Sequence, residues 1–194
     1  MKKLAVLFPG IGYTADKPLM YYSRRIASGH GYDVRIMTYS GFPPKVKGDR
    51  GRMEQSFQIA LEQAEEMLSE VDLAGYDDIL FIGKSIGTIV AAKIAAESAV
   101  RDRIRLVMYT PLEDTFSYPF GEAIVFTGDD DPWVGRKNSR IRSLCRDRGI
   151  PCSVVSYANH SLETSDALAD LQELCRIMQE TERFISEKCA CVEM

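Results

Sequence analysis

Three short stretches of this chain carry side chains that together can do acyl chemistry. The first is Gly83-Lys84-Ser85-Ile86-Gly87, a Gly-x-Ser-x-Gly pattern that follows the apolar run 79–82 and leads into the alanine-rich segment 89–96. The pattern reads strand, tight turn, helix. A serine in such a turn is held clear of the sheet, and the flanking positions must be glycine because a side chain there would meet the neighbouring strand or helix. The amide of Ile86, unpaired in the first helical turn, points at any negative charge that forms beside the serine. The second stretch is Gly128-Asp129-Asp130-Asp131-Pro132-Trp133-Val134, rich in carboxylates, and the third is Ala158-Asn159-His160-Ser161. A hydroxyl, an imidazole that takes its proton and a carboxylate that orients the imidazole make a nucleophile for carbonyl carbon. Two other readings of Ser85 weigh less. As a plain helix cap it would need no partners, and as a phosphate loop it lacks the glycine that a Walker motif requires where Asp78 stands.

The elements around these stretches alternate strand with helix. Strands are expected at 4–8, 34–39, 79–82, 104–109, 123–127 and 152–157. Helices are expected from Asp16, as cap, to about Gly29, then over 52–71, after Gly87, over 136–148 and over 162–187, the last with Leu171, Leu174, Cys175, Met178 and Ile185 on one face. That order predicts an α/β fold, a doubly wound, mostly parallel six-stranded sheet with helices on both faces and right-handed crossovers. Its functional loops gather at the strands' C-terminal ends. The connection 112–121 is too short for a cap domain, so residues 1–194 are expected to form a single domain. Gly10-Ile11-Gly12-Tyr13-Thr14-Ala15 fits a loose dinucleotide fingerprint. The helix starts after it, however, and the second strand ends in Tyr39-Ser40 without a carboxylate to hold a ribose.

With the nucleophile, acid and histidine in the order Ser85, Asp131, His160, the chain resembles a minimal, capless member of the α/β-hydrolase superfamily that lacks the first two strands of larger members. The resemblance covers nearly the whole chain. It implies Asp131 as the acid, in Gly-x-x-Asp-x-x-Val after the penultimate strand, and His160 as the base before the final helix. Asp129 and Asp130 are the rivals within the turn, and Glu113 and Asp114 stand where a less common arrangement puts the acid. It also implies the Ile11 amide as the second oxyanion donor beside that of Ile86. The expected activity is that of a serine hydrolase acting on a small carboxylic ester or thioester. A peptidase or acyltransferase with the same triad is an alternative, as is a binding domain of the same fold without turnover. Tyr13, Phe116 and Trp133 are candidates to line the substrate site. Lys84 is expected in a surface ion pair, with attraction of an acidic substrate as its other use.

Composition narrows the class. The chain has 194 residues, a net charge of -4 with both signs mixed and no basic patch, which argues against nucleic acid. Its five cysteines, Cys145, Cys152, Cys175, Cys189 and Cys191, show neither metal spacing nor a disulfide framework and read as reduced thiols in a cytoplasm. No metal or cofactor is expected. The apolar run after Met1-Lys2-Lys3 stops at Pro9-Gly10 and is read as a strand, not a signal peptide. Cys191-Val192-Glu193-Met194 outlines a prenylation box, but Glu193 does not suit it and no polybasic stretch precedes it. No apolar run approaches the roughly 18 residues of a membrane span. His30, between glycines, is read as a solvated turn residue, and the protein as a monomer or small homo-oligomer.

Overall fold

The computed structural model describes residues 1–134 and 139–187. Strands β1 (Lys3–Phe8), β2 (Asp33–Ile36), β3 (Asp78–Lys84), β4 (Ile104–Tyr109), β5 (Ala123–Gly128) and β6 (Cys152–Val155) form one sheet, ordered β2-β1-β3-β4-β5-β6 and parallel at every pairing. The helices are α1 (Pro18–Gly29), α2 (Arg50–Ser69), α3 (Ile86–Glu97), α4 (Ser139–Asp147) and α5 (Ala167–Ser186). The central strands β3, β4 and β5 are almost wholly buried, as near-continuous apolar runs must be when helices cover both faces. Alternate residues then serve different layers. Leu4, Val6, Phe8, Ile79 and Phe81 pack with Phe57, Leu61, Ile89 and Ile141 of α2, α3 and α4. Ala5, Leu7, Leu80 and Ile82 pack with Leu19, Met20, Ile177 and Ile185 of α1 and α5.

Several expected boundaries shift, each for a local reason. Strand β2 stops at Ile36, short of Tyr39: it pairs only with β1, whose ladder ends at Phe8 before Pro9, a residue without an amide hydrogen. β6 stops at Val155, because the Tyr157 amide turns away to the Asp129 carboxylate and Tyr157 takes a φ of 59°. Asp16 does not cap α1. Lys17 is the capping residue and makes no side-chain bond to the helix, while the exposed Asp16 lies 4.0 Å from Arg24.

The last helix begins five residues later than the periodicity suggests. Asp166 accepts from the Leu168 and Ala169 amides at 2.9 and 3.2 Å and fixes the start of α5, whereas Leu162 sits in a turn with φ of 60°. The buried face of α5 is Ile177, Met178, Thr181 and Ile185. Leu171 is 61% exposed and Cys175 is also exposed, so the expected stripe holds only in its C-terminal half. Of the expected helix 136–148, the part at 136–138 lies outside the described residues, as do Cys189 and the motif 191–194.

Candidate active site

Ser85 stands between the last residue of β3 and the first of α3, with φ 55° and ψ -123°. A positive φ is costly for a residue with a Cβ and is kept only where the surroundings enforce it. Here the Ser85 amide donates to the Tyr109 carbonyl at 3.0 Å, carrying the β3–β4 ladder one residue beyond β3, and its carbonyl accepts from Thr88 at 2.9 Å. The two glycines permit the turn by leaving room. A Cβ at Gly87 would lie 2.0 Å from the Phe8 carbonyl oxygen, and one at Gly83 would lie 2.8 Å from the Thr88 Cα. Helix α3 therefore starts against the end of β1.

His160 and Asp131 reach the serine from the two strands on the far side of β4. The chain after β5 and the chain after β6 lie in direct contact: a Cβ at Gly128 would fall 2.2 Å from the Ala158 carbonyl oxygen, and the Asp130 amide donates to that same oxygen at 3.1 Å. Asn159 folds the histidine loop by accepting from the Ser161 amide at 2.7 Å, while its own amide donates to the Glu163 carbonyl at 2.9 Å. His160 Nε2 then lies 2.7 Å from Ser85 Oγ, and His160 Nδ1 lies 2.6 Å from Asp131 Oδ2. The other Asp131 oxygen accepts from the Trp133 amide at 2.9 Å, and the carboxylate is 1% exposed. Because a carboxylate only accepts, Nδ1 carries the hydrogen and Nε2 is left to accept from the hydroxyl.

Two of the rival carboxylates are engaged elsewhere. Asp129 holds the Tyr157 amide, and Glu113 lies 3.6 Å from Arg140. Asp114 sits on the 3-10 turn Glu113–Ser117, and no hydrogen bond links it or Asp130 to His160. His30 closes the end of α1, 3.3 Å from Glu182. Among the described residues, no group of three or more His, Cys, Asp or Glu is arranged to hold a metal ion.

The aromatic candidates separate. Trp133 stacks on His160, ring centroids 5.2 Å apart and planes at 25°, with Lys47 Nζ 5.9 Å from the indole. It also borders a cavity of about 360 Å³ that Val46, Met53, Leu112 and Glu113 share. Phe116 is a correction: it is 5% exposed and packs in the α2–α3 core beside Phe120 and Arg148. Tyr13 is likewise buried, in the α1–α5 layer, and its hydroxyl accepts from the Leu19 amide at 3.2 Å. Its burial pushes the phenol up to about 12.

Lys84 is the residue that sequence reasoning misplaced. It is 1% exposed and forms no surface ion pair; its Nζ lies 4.9 Å from the centroid of the Tyr13 ring. Burial lowers its pKa to about 7, against the opposing pull of Asp131 and Glu163. The signal was present in the alternation of β3, which puts Leu80, Ile82 and Lys84 on one face. His160 is also held below the ordinary imidazole range, first by burial, with the Asp131 hydrogen bond opposing and the charges of Lys84 and Lys47 adding to the fall.

The loop that carries Ile11 begins where β1 ends, and Ile86 opens α3. A Cβ at Gly10 would stand 3.2 Å from Ser85 Cβ, so the loop that carries Ile11 passes directly beside the serine. Among the described residues, none of the loop and cap hydrogen bonds uses the Ile11 or Ile86 amide.

No family model matches the chain, and no curated protein matches it. Solved structures do. A proposed hydrolase of the alpha/beta superfamily from Xanthomonas campestris pv. campestris superposes with a TM-score of 0.63 at 15% identity, over 94% of this chain and 99% of that one. An esterase from Pyrococcus furiosus gives 0.61 at 12% identity, over 95% and 84%. A lidless member of the a/b serine hydrolases, also from Xanthomonas campestris, gives 0.54 at 12% identity, over 96% and 84%. The fold of this chain is that of the α/β hydrolases.

Proposed function

We propose that this chain, built on the α/β-hydrolase fold, is a serine hydrolase that cleaves a small carboxylic ester or thioester through an acyl-enzyme on Ser85. The observation that carries the reading is the continuous contact from Ser85 Oγ to His160 Nε2 at 2.7 Å and from His160 Nδ1 to Asp131 at 2.6 Å. The esterase and serine hydrolase among the structural neighbours support hydrolysis as the reaction class.

In this reading the Ser85 oxygen attacks the carbonyl carbon while His160 Nε2 takes its proton, and Asp131 stabilises the imidazolium and holds its tautomer. The developing oxyanion is met by the amides of Ile86 and Ile11; one such donor is worth roughly 100- to 1000-fold in turnover. The imidazolium returns the proton to the leaving alcohol or thiol. Water, deprotonated by the same nitrogen, then releases the acid and restores Ser85. The cavity beside Trp133, about 360 Å³, is at the low end of the range for small-molecule sites and suits a small acyl or alcohol group.

Labelling with a fluorophosphonate followed by peptide mass spectrometry tests the nucleophile without a known substrate. Modification at Ser85, lost in Ser85→Ala and His160→Ala while both variants keep the wild-type thermal midpoint within a few degrees, is the expected result. Folded wild-type protein that takes up no label would instead point to a binding domain without turnover.

A further inference from the structure

The fold buries Lys84, a cation that the reaction scheme does not use. Lys84 immediately precedes Ser85 and runs from the end of β3 towards the α1–α5 layer, its stem passing the Gly10 position and its ammonium lying over the Tyr13 ring. A buried ammonium ordinarily finds a carboxylate or several carbonyl acceptors. Among the described residues it has no hydrogen-bond or ion-pair partner, and an aromatic face is what it rests on. The platform is itself fixed, since Tyr13 is tied to the start of α1 through Leu19 and to Gly10 through two main-chain hydrogen bonds of 3.2 and 3.3 Å.

We propose that Lys84 is a positioning residue whose charge, held behind the nucleophile by Tyr13, keeps His160 in its neutral, proton-accepting form. The inference rests on Ser85 and His160 acting as nucleophile and base.

Among the described residues, the groups around the pair are few. Tyr13 comes from the loop after β1, Asp131 from the loop after β5, and His160 and Glu163 from the loop after β6. On the adjoining strand, the Tyr109 hydroxyl is occupied by Ser23 and Thr181 at 2.8 and 2.7 Å. Glu163 is exposed, so water screens it, whereas Asp131 is shared with the imidazole. His160 has Lys47 as its other nearby cation. A positive charge at Lys84, buried behind Ser85, opposes protonation of His160, whose side chain is only 15% exposed and so weakly screened by water.

The protein has two histidines, so the imidazole resonances of His160 and His30 can be followed by NMR across a pH titration, with His30 as internal control. Lys84→Met should raise the His160 midpoint by roughly half a pH unit or more, while Lys84→Arg, which keeps the charge, should leave it low. The rate of Ser85 phosphonylation should follow, with its acid limb displaced upward in Lys84→Met alone. In the wild-type protein, which needs no variant to fold, the His160 curve should carry a second, smaller inflection where the Lys84 ε-methylene titrates, near pH 7. An unchanged His160 midpoint in folded Lys84→Met, or a single inflection in the wild type, overturns the proposal. Because the NMR titration does not depend on turnover, an unlabelled Ser85 would count against the hydrolase reading alone.

Discussion

Replacing Asp131 by Asn changes one atom and should remove nearly all activity. The carboxylate uses both oxygens, Oδ1 for the Trp133 amide and Oδ2 for His160 Nδ1, and it is buried, so no water can substitute for either partner. An asparagine must keep its oxygen on the Trp133 amide, because turning it the other way would set an NH₂ group against an N–H donor. Its NH₂ then faces Nδ1, which can only accept, and the imidazole is forced into the tautomer with hydrogen on Nε2. That nitrogen no longer takes the proton of Ser85 at 2.7 Å. Loss of the correct tautomer costs about four orders of magnitude in a serine triad, or about 5.4 kcal/mol of barrier. The assay is the second-order rate of Ser85 phosphonylation, checked against hydrolysis of p-nitrophenyl acetate. The shape of the side chain is conserved and one hydrogen bond survives, so the thermal midpoint should fall by only a few degrees. A loss below tenfold, or an equal loss in Asp129→Asn or Glu113→Gln, would refute the assignment.

Two further outcomes follow from the same geometry. His160 is held below the ordinary imidazole range by burial, and the base must be unprotonated to act; the acid limb of the labelling rate should therefore lie below about pH 6.5, and a midpoint above that value contradicts the burial argument. Gly87→Ala would set a methyl 2.0 Å from a main-chain oxygen of β1, which neither element can avoid without separating; a loss of at least ~3 kcal/mol in urea unfolding is expected, and a loss under ~1 kcal/mol would mean that α3 and β1 are not locked together there.

Much of this was legible in the sequence where a segment's environment is uniform. Strand β4 matches its expected range because Ile104–Tyr109 is apolar but for Arg105 and is bounded by polar residues at one end and Thr110-Pro111 at the other. The elements at the margins are harder to read. β2 and β6 pair on one side only, so their lengths depend on where β1 and β5 stop, and α5 starts where Asp166 finds two free amides, not where the apolar spacing starts. The meeting of Ser85, Asp131 and His160 was readable because turn chemistry and strand order both point to them. Tyr13, Phe116 and Lys84 were misread for one reason: proximity in sequence to the active edge says nothing about which way a side chain turns. The period of β3 sends Lys84 inward, and that argument outweighs the usual preference of lysine for water.

The buried polar groups away from the site explain why the histidine arrives where it does. His160 is carried on the loop that feeds α5, so any sliding of α5 along the sheet would move the imidazole off Ser85. Arg105 of β4 ties down the last turn, donating to the Phe184 and Glu187 carbonyls at 2.7 and 3.0 Å while its guanidinium lies 3.2 Å from Asp78. Earlier in the helix, the Tyr109 hydroxyl bridges Thr181 of α5 and Ser23 of α1. Apolar contacts along Ile177, Met178 and Ile185 are non-directional and would tolerate small shifts. Buried hydrogen bonds would not, since each shifted donor or acceptor would be left unpaired at about 1 to 3 kcal/mol. The register of α5, and with it the 2.7 Å contact between His160 and Ser85, is therefore set by polar residues outside the site.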